Sequence, residues 1–288
     1  MAKTTISWTD YSWNPVTGCT PISSACDHCY ARSIATRFTG TPSWPNGFKV
    51  TCHPERLEQP LHWRKPGRVF LCSAGDLFHE DVPEAFIARV FARMAACRQH
   101  TFQILTKRPE RMLDIVNLAC RAVPEHWPLP NVWLGVTAEN QEMVDARIPL
   151  LLQVPAAVRF VSVEPMLGPL DLLDYLPWGN NDPAAKLDWV IAGGESGPHA
   201  RPMHPDWVRS VRQQCTAAGV PFFFKGWGEW LPRSQGDDPE RLPQSFVAAT
   251  PDDVLLNRPK EPINRVGKRK AGHLLDGREH RQFPEVAS

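Results

Sequence analysis

From about residue 68 onward, short apolar runs alternate with amphipathic stretches. This alternation is typical of βα units whose strands form a parallel sheet. The apolar runs are rich in Val, Ile, Leu and Phe and lack polar alternation, as expected for strands that are covered on both faces. We therefore predict strands within 68–76, 101–109, 131–140, 158–166, 187–196 and 220–228.

The stretches between these runs have the spacing of amphipathic helices. They predict helices within 83–99, 108–122, 139–153 and 204–219, the last with Gly219 as its C-cap. A first strand is predicted around 11–18 and a helix from Cys29 onward. The predicted fold class is α/β: a partial (β/α) barrel of six or seven parallel strands, with a doubly wound open sheet as the alternative.

Composition limits the domain organisation and the cellular setting. A chain of 288 residues with 42% hydrophobic content is long enough to bury a large core. Residues 1–229 are predicted to form the barrel, and 230–288 a Pro/Gly-rich basic extension. Turn-rich inserts at 39–48 and 176–185 are predicted to cover the barrel mouth. No signal peptide or membrane-spanning run is evident, so we expect a cytoplasmic protein without a membrane partner.

Charge and cysteine content exclude several classes of protein. The 32 Lys and Arg residues nearly balance 31 Asp and Glu, so any contact with a polyanion must be local. Eight cysteines are too few for a disulfide scaffold and are expected to be reduced. No Walker loop, HExxH, GxSxG or dinucleotide fingerprint is present, which disfavours NTPases, zinc proteases, serine hydrolases and nicotinamide enzymes.

Three cysteines, Cys19, Cys26 and Cys29, are spaced C-x6-C-x2-C in the loop after the first predicted strand. Structural zinc needs four ligands, and His28, His53 or Cys52 could supply the fourth. An ordinary iron–sulfur cluster also needs four cysteines. A third interpretation is a cluster held by these three thiolates with one iron left open. A metal-free thiol loop is the last alternative.

Several motifs together resemble known families. The three-cysteine loop, with an aromatic residue beside the last cysteine, resembles that of the radical S-adenosylmethionine (SAM) enzymes, although their commonest spacing is C-x3-C-x2-C. The segments "WNPVTGCTPISSACDHCYA", "LTKRPERM", "WLGVTAEN", "SVEPMLGPL", "VIAGGESG" and "RVGKRKAGHLLDGREHRQFP" resemble an uncharacterised three-cysteine family that is frequent in phages and prophages. This second resemblance spans nearly the whole chain.

The resemblance implies two cofactors, a [4Fe–4S] cluster and SAM. Cys19, Cys26 and Cys29 would bind three irons, and the amino and carboxylate groups of SAM would bind the fourth. Reduction of the cluster would cleave SAM and release a 5′-deoxyadenosyl radical that abstracts hydrogen from the substrate. The radical chemistry belongs to the cofactors, so the protein orients SAM and excludes water.

The resemblance also implies where SAM binds. The family's glycine-rich, acid-ended segment matches "SAGD", with Ser73, Gly75 and Asp76. Asp76 would accept from the SAM ammonium, although a helix N-cap or a solvated acid is the simpler alternative. Thr106 and Lys107 resemble a pair in the subgroup that includes spore photoproduct lyase, a DNA repair enzyme. Lys107 would contact the SAM carboxylate or a substrate phosphate, or remain a surface lysine.

Every apolar run ends in small, polar or charged residues, and in parallel α/β folds such ends line the active site. The acidic residues among them, Glu139, Glu164 and Glu195, are expected to orient a polar substrate or to bind a hard metal. Glu139 is assigned to cofactor binding, and Glu164 and Glu195 join Lys107 as candidate catalytic residues. The glycines Gly193 and Gly194 would let SAM or substrate approach the backbone.

Lys225 and Trp227 offer a cation and a stacking surface at the last strand, whereas Trp230 is expected in the core. The basic residues of "NRVGKRKAGHLLDGREHR" predict a nucleic acid or nucleotide substrate, with a solvated charged tail as the alternative. A reductant protein such as flavodoxin or ferredoxin is the other expected partner. A non-enzymatic binding protein, stabilised by zinc or an iron–sulfur cluster, is the alternative function.

Overall fold

The structure is a computed structural model that describes residues 2–177, 186–236, 247–248 and 261–285. Most of the predicted insert at 176–185 and much of the extension after residue 236 lie outside the described residues. No helix in the described part of the chain is long and apolar enough to cross a lipid bilayer.

The fold is built on one eight-stranded sheet with the order β1-β2-β5-β6-β7-β8-β9-β10. The edge strand β1 is antiparallel to β2, and the seven other strands are parallel. These strands are β1 Ala2–Lys3, β2 Tyr11–Trp13, β5 Gly67–Leu71, β6 His100–Thr106, β7 Val132–Thr137, β8 Val158–Val163, β9 Trp189–Gly193 and β10 Phe222–Gly226.

Two smaller sheets accompany the main one. Strand β3 (Val16–Thr17) pairs antiparallel with β4 (Thr51–Cys52). A three-stranded sheet has the order β11-β13-β12, formed by Trp230–Pro232, Glu261–Arg265 and Val247–Ala248 respectively. The helices are α1 Tyr30–Arg37, α2 Glu84–Ala96, α3 Pro109–Ala122, α4 Gln141–Leu152, α5 Pro205–Ala218 and α6 Lys268–Ala271.

The predicted fold class is confirmed. The parallel strands follow one another across the sheet in chain order, which is the winding of a (β/α) barrel, whereas a doubly wound sheet reverses its order at a switch point. Each predicted strand and helix is present. Gly219 ends α5 with a φ of 68°, a left-handed conformation that glycine adopts without steric cost.

The chain divides into two compact units. The first comprises 1–137, 146–161 and 285–288, and the second comprises 138–145 and 162–284. The division into a barrel at 1–229 and an extension at 230–288 stays a prediction. Described residues of the extension contribute to the core of the second unit, where Ile263 and Leu275 are fully buried and Trp227 Nε1 donates to Leu274 O at 2.8 Å.

The core of the first unit depends on large aromatic residues around its strands. Trp8 packs edge-on against Phe70 with ring centroids 4.6 Å apart. Trp13 is fully buried and donates its Nε1 hydrogen to Arg56 O at 2.9 Å. A buried indole must keep such a partner, because an unpaired polar group would cost stability. Backbone pairing of Trp13 with Leu71 joins β2 to β5, and the cysteine loop follows β2.

We predict that Gly135→Ala destabilises the first unit. A Cβ at Gly135 would lie 2.7 Å from atoms of the buried Phe160 ring, whereas one at Gly168 would meet nothing within 4 Å. Overpacking of this kind costs about 1–3 kcal/mol of unfolding free energy. Urea denaturation would measure the loss, with Gly168→Ala as the control. Adding Phe160→Leu should recover part of the loss, and equal stability of the two glycine variants would contradict the prediction.

Candidate functional site

The cysteine loop, defined as residues 18–29, is anchored at the carboxyl end of β5. Gly18 N donates to Ala74 O at 2.9 Å, and Gly18 forms a parallel bridge with Gly75. Gly18 has a φ of 84°, and a Cβ there would lie 2.3 Å from Lys49 O. A Cβ at Gly75 would lie 2.9 Å from Gly18 O. Both positions therefore require glycine so that the two backbones can approach.

The turn after β5 is held by hydrogen bonds to Asn14 and Tyr30, which lie on either side of the cysteine loop in the sequence. Cys72 begins the turn with a φ of 54°, which is unfavourable for a residue with a side chain. Asn14 Oδ1 accepts from Ser73 Oγ at 3.2 Å and from Ala74 N at 3.1 Å. The hydroxyl of Tyr30 donates to Ser73 O. Ser73 is therefore engaged in positioning the loop, and its predicted contact with SAM stays a prediction.

Asp76 lies at the centre of a buried polar network. Its carboxylate accepts from Thr106 Oγ1 at 2.8 Å, from Lys107 N at 3.3 Å, and from Phe78 N at 3.0 Å. Arg108 Nη1 also lies 3.3 Å from Asp76 Oδ2. These donors join the ends of β5 and β6. The contact of Asp76 and Thr106 with SAM remains a prediction, because the chain itself supplies the donors around both carboxylate oxygens.

Arg108 connects this network to the cysteine loop. Its Nη1 donates to Cys19 Sγ at 3.4 Å, and its Nη2 donates to Thr20 Oγ1 at 2.8 Å. Its Nε donates to Glu80 Oε2 at 2.9 Å. Burial alone would lower the pKa of Arg108, but the charges of Asp76 and Cys19 outweigh burial and raise it. Arg108 is therefore a buried cation that contacts a predicted cluster ligand.

His79 also contacts the cysteine loop, through Thr20. Its Nδ1 accepts from Asp81 N at 3.1 Å, so Nε2 carries the hydrogen and donates to Thr20 Oγ1 at 2.8 Å. Burial lowers the pKa of His79, and the neighbouring Arg108 charge lowers it further. The neutral ring is thus a fixed donor to the cysteine loop.

The thiols differ in their surroundings. Cys19, Cys26 and Cys29 are partly exposed, whereas Cys72, Cys97 and Cys215 are buried. Burial raises the pKa of Cys19, the Asp76 carboxylate raises it further, and the Arg108 guanidinium opposes the rise. Burial raises the pKa of Cys215 to about 12, so this thiol stays protonated. Cys52 and Cys120 are partly exposed as well, so the cysteine loop holds three of the five partly exposed thiols.

The surroundings of the cysteine loop can be compared with what a structural zinc site requires. Among the described residues, no group of three or more His, Cys, Asp and Glu side chains is arranged to hold one metal ion. His53 is engaged through both ring nitrogens, with Thr17 Oγ1 at 2.8 Å and Glu55 Oε1 at 3.1 Å. A tetrahedral zinc needs four ligands about 2.0–2.3 Å from one ion. The described geometry does not favour that zinc site.

An iron–sulfur cluster has different geometric requirements from a single metal ion. A [4Fe–4S] cluster binds each cysteine through a different iron, so its thiolates need not converge on one point. Three partly exposed thiols on one loop, with the Arg108 guanidinium donating to Cys19, supply soft ligands and a sulfur hydrogen bond. Cys19, Cys26 and Cys29 thus remain the candidate ligands.

Lys107 follows β6 and is half-buried. Its backbone N donates to Asp76, while its side chain makes no hydrogen bond or ion pair within the described parts of the chain. The ammonium group is therefore available to an anionic ligand. Its catalytic role stays a prediction.

The second unit contains its own cluster of candidate residues. Lys225 Nζ lies 3.1 Å from Glu164 Oε1, and Ser162 Oγ donates to Glu164 Oε2 at 3.3 Å. A Cβ at Gly193 would lie 2.7 Å from Glu164 Oε1, so glycine here leaves room for that carboxylate. Glu164 and Lys225 form an ion pair at the ends of β8 and β10.

The two other predicted acidic residues of this unit, Glu195 and Glu139, are buried. Glu195 accepts from Arg201 Nη2 at 2.7 Å and from Arg201 N at 2.8 Å. Glu139 is fully buried, and its backbone O accepts from Leu167 N at 2.8 Å. A Cβ at Gly194 would lie 2.1 Å from Trp227 O. Close packing against Trp227 is thus a sufficient reason for glycine at position 194. The predicted ligand roles of Glu139, Glu195 and Gly194 stay predictions.

The prediction of Trp227 as a stacking surface is wrong. Its side chain is 1% exposed and packs edge-on against Phe224, with ring centroids 5.0 Å apart. Trp230, which was expected in the core, is half-buried; its Nε1 donates to Ala200 O at 2.5 Å, and the Arg265 guanidinium lies 5.9 Å from its ring centroid. The burial of the two indoles is thus the reverse of the prediction, although each donates its Nε1 hydrogen to a backbone carbonyl.

The predicted site residues fall into two groups. The first unit contains Cys19, Cys26, Cys29, Ser73, Gly75, Asp76, Thr106 and Lys107, and the second contains Glu139, Glu164, Gly193, Gly194 and Glu195. Sequence reasoning missed Arg108, His79 and Arg201. A signal was present for Arg108, because it directly follows Lys107 at the end of a predicted strand.

The fold and site define a partial (β/α) barrel protein with a three-cysteine loop. The chain belongs to the family described as "Protein of unknown function (DUF5131)", whose model matches residues 3–284. No curated protein matches it.

Two solved structures are similar at low identity. A spore photoproduct lyase variant is 13% identical with a TM-score of 0.40, over 72% of this chain and 60% of that chain. A second variant of that enzyme, with bound AdoMet and dinucleoside spore photoproduct, is 10% identical with a TM-score of 0.38, over 74% and 62%. The chain thus spans less than two thirds of the length of either structure.

We predict that Arg108→Leu strongly destabilises the first unit. The change leaves the Asp76 carboxylate buried without its cation, and breaking a buried pair costs about 3–5 kcal/mol. Arg93→Leu is the control, because it removes a more exposed pair with Glu58 that is worth about 0–1 kcal/mol. Chemical denaturation measures both losses. If Arg108→Leu costs no more than Arg93→Leu, Arg108 does not hold this network together.

Proposed function

We propose that this protein is a radical SAM enzyme. The observation that carries the proposal is the cysteine loop itself, with three accessible thiols anchored at the carboxyl end of β5 in a (β/α) sheet. Catalytic groups of such sheets lie at the carboxyl ends of the strands. A loop that only stabilised the fold would have no need to hold accessible thiols at this end.

In this proposal Cys19, Cys26 and Cys29 bind three irons of a [4Fe–4S] cluster. When bound and supplied with one electron by a reductant, the cluster and SAM would supply the radical chemistry that abstracts hydrogen from the substrate. Arg108 orients Cys19 by donating to its Sγ. Lys107 would pair with the SAM carboxylate, and Ser73, Gly75, Asp76 and Thr106 would line the SAM site at the ends of β5 and β6.

The predicted residues of the second unit are proposed to contact the substrate or a cofactor. Glu164 and Glu195 are the proposed catalytic acids or bases, each held in place by a cation, Lys225 and Arg201 respectively. Glu139, Gly193 and Gly194 are proposed to contribute to cofactor binding.

We further propose a nucleic acid as the substrate, with a base as the site of modification or repair. Lys268, Arg269 and Lys270 form α6, are exposed, and make no ion pair within the described residues. Gly272 O accepts from Trp227 N at 3.1 Å, which fixes α6 beside the carboxyl end of β10. Three exposed cations on a fixed turn suit phosphate groups.

We expect anaerobic reconstitution with iron and sulfide to give about four irons per chain, as one cubane cluster requires. With SAM and dithionite the protein should release 5′-deoxyadenosine, measured by chromatography. Cys26→Ala should abolish the release because one iron loses its ligand, while Cys120→Ala, outside the loop, should not. Tight zinc binding without SAM cleavage would reject the proposal in favour of a metal-stabilised binding protein.

We expect the α6 cations to contribute to nucleic acid affinity. Replacing Lys268, Arg269 and Lys270 with Glu should weaken binding of a labelled single-stranded oligonucleotide at least tenfold. It should also reduce the dependence of affinity on salt, because binding then neutralises fewer phosphates and releases fewer counterions. Fluorescence anisotropy measures both effects. Arg98→Glu with Arg121→Glu reverses exposed cations elsewhere and serves as the control. Equal affinity of the α6 variant and this control would contradict a role for α6.

A further inference from the structure

The helix that follows the cysteine loop exposes an apolar face. Tyr30, Ile34 and Phe38 are spaced four residues apart and are 55%, 42% and 46% exposed. This spacing places them on one side of α1, while Ala31 and Ala35 face the core. Large apolar side chains that stand together on a surface mark an interaction site more often than isolated ones do.

The same segment is cationic. No acidic residue occurs between Asp27 and Glu55, whereas Arg32, Arg37 and Lys49 lie within this stretch. The Arg37 guanidinium lies 5.5 Å from the Phe38 ring centroid, so an exposed cation borders the apolar face. A surface with an apolar centre and positive rim fits an acidic protein partner, because charge complementarity steers the encounter.

The position of this face indicates what the partner delivers. Cys29 is the N-cap of α1, so the face begins at the residue after a proposed cluster ligand. Tyr30 is tied by its hydroxyl to Ser73 O, which fixes the start of the helix against the turn after β5. Electron transfer slows steeply with distance, and a carrier docked on α1 would lie beside the cysteine loop.

We propose that the exposed face of α1, formed by Tyr30, Ile34, Arg37 and Phe38, docks an acidic one-electron carrier protein. The carrier is oxidised by one electron and the iron–sulfur cluster held by the cysteine loop is reduced. This inference rests on the proposed function. Small apolar contacts with a charged rim are the usual form of weak redox encounters. Tyr30 and Phe38 are aromatic and could also stack on bases, so the position of the face beside the cysteine loop is what favours a redox protein over a nucleic acid.

The matched variants are Ile34→Asp/Arg37→Glu on α1 and Leu118→Asp/Arg121→Glu on α3. Both pairs join an exposed aliphatic residue to an arginine three positions later, and Leu118 is 59% exposed. Arg37→Gln alone is a milder variant in case the double change disturbs folding, which circular dichroism checks. Reduced flavodoxin, an acidic flavoprotein, is the carrier, and dithionite is the small reductant that needs no docking surface.

Stopped-flow absorbance measures the reduction of the reconstituted protein. We expect reduction by flavodoxin to slow at least tenfold in the α1 variant, less in Arg37→Gln, and not in the α3 control, while dithionite reduces all of them equally. A second readout needs no turnover: calorimetric binding of flavodoxin should weaken in the α1 variant, and in the unchanged protein it should weaken with added salt.

Three outcomes would overturn the docking inference while leaving the proposed function intact. Flavodoxin could reduce the α1 variant as fast as the control. The α1 variant could instead lose oligonucleotide binding, which would assign the face to nucleic acid. Sedimentation velocity could show that the unchanged protein self-associates and that the α1 variant does not, which would assign the face to a second copy. Failure of dithionite to reduce any protein would instead reject the proposed function and this inference with it.

Discussion

The buried pair of Asp76 and Arg108 is the interaction on which the cysteine loop depends. Removing two charges from water costs several kcal/mol per ion, and only good geometry with further hydrogen bonds offsets this cost. The chain provides them through Thr106, the backbone of Lys107, and Glu80. The remaining guanidinium hydrogens reach Cys19 and Thr20, so the same pair that joins the ends of β5 and β6 also holds the loop.

Glycines at the strand ends serve a common physical purpose in both units. Gly18 and Gly75 allow the cysteine loop to touch the turn after β5, and Gly193 leaves space for the Glu164 carboxylate. Gly194 allows the backbone at Trp227 to approach. Of these four glycines, the sequence predicts Gly193 and Gly194 as room for SAM or substrate. At all four positions the chain itself fills the space beside the glycine. A larger residue there would separate the backbone segments or side chains that now lie in contact.

Three surfaces of different character accompany the proposed chemistry. The cysteine loop supplies soft ligands, α1 supplies an apolar face with a positive rim, and α6 supplies exposed cations. Each surface suits one participant in a reductive radical reaction: cluster, electron donor and polyanionic substrate. The cysteine loop and α1 are adjacent in the sequence, whereas α6 is distant from both, and the variants on α1 and α6 change exposed side chains only.

The sequence by itself determined the elements and their order. Continuous apolar runs predicted the parallel strands, and Gly219 marked the end of α5, because burial on both faces and a left-handed cap leave local signals. The tertiary structure alone decided which side chains meet. Arg108 pairs with Asp76 across 32 positions, and Trp227 rather than Trp230 is buried. Such contacts depend on how segments that are distant in the sequence pack together, and local sequence patterns carry no information on that packing. The helices and strands were therefore predictable from the sequence, and the network around Cys19 was not.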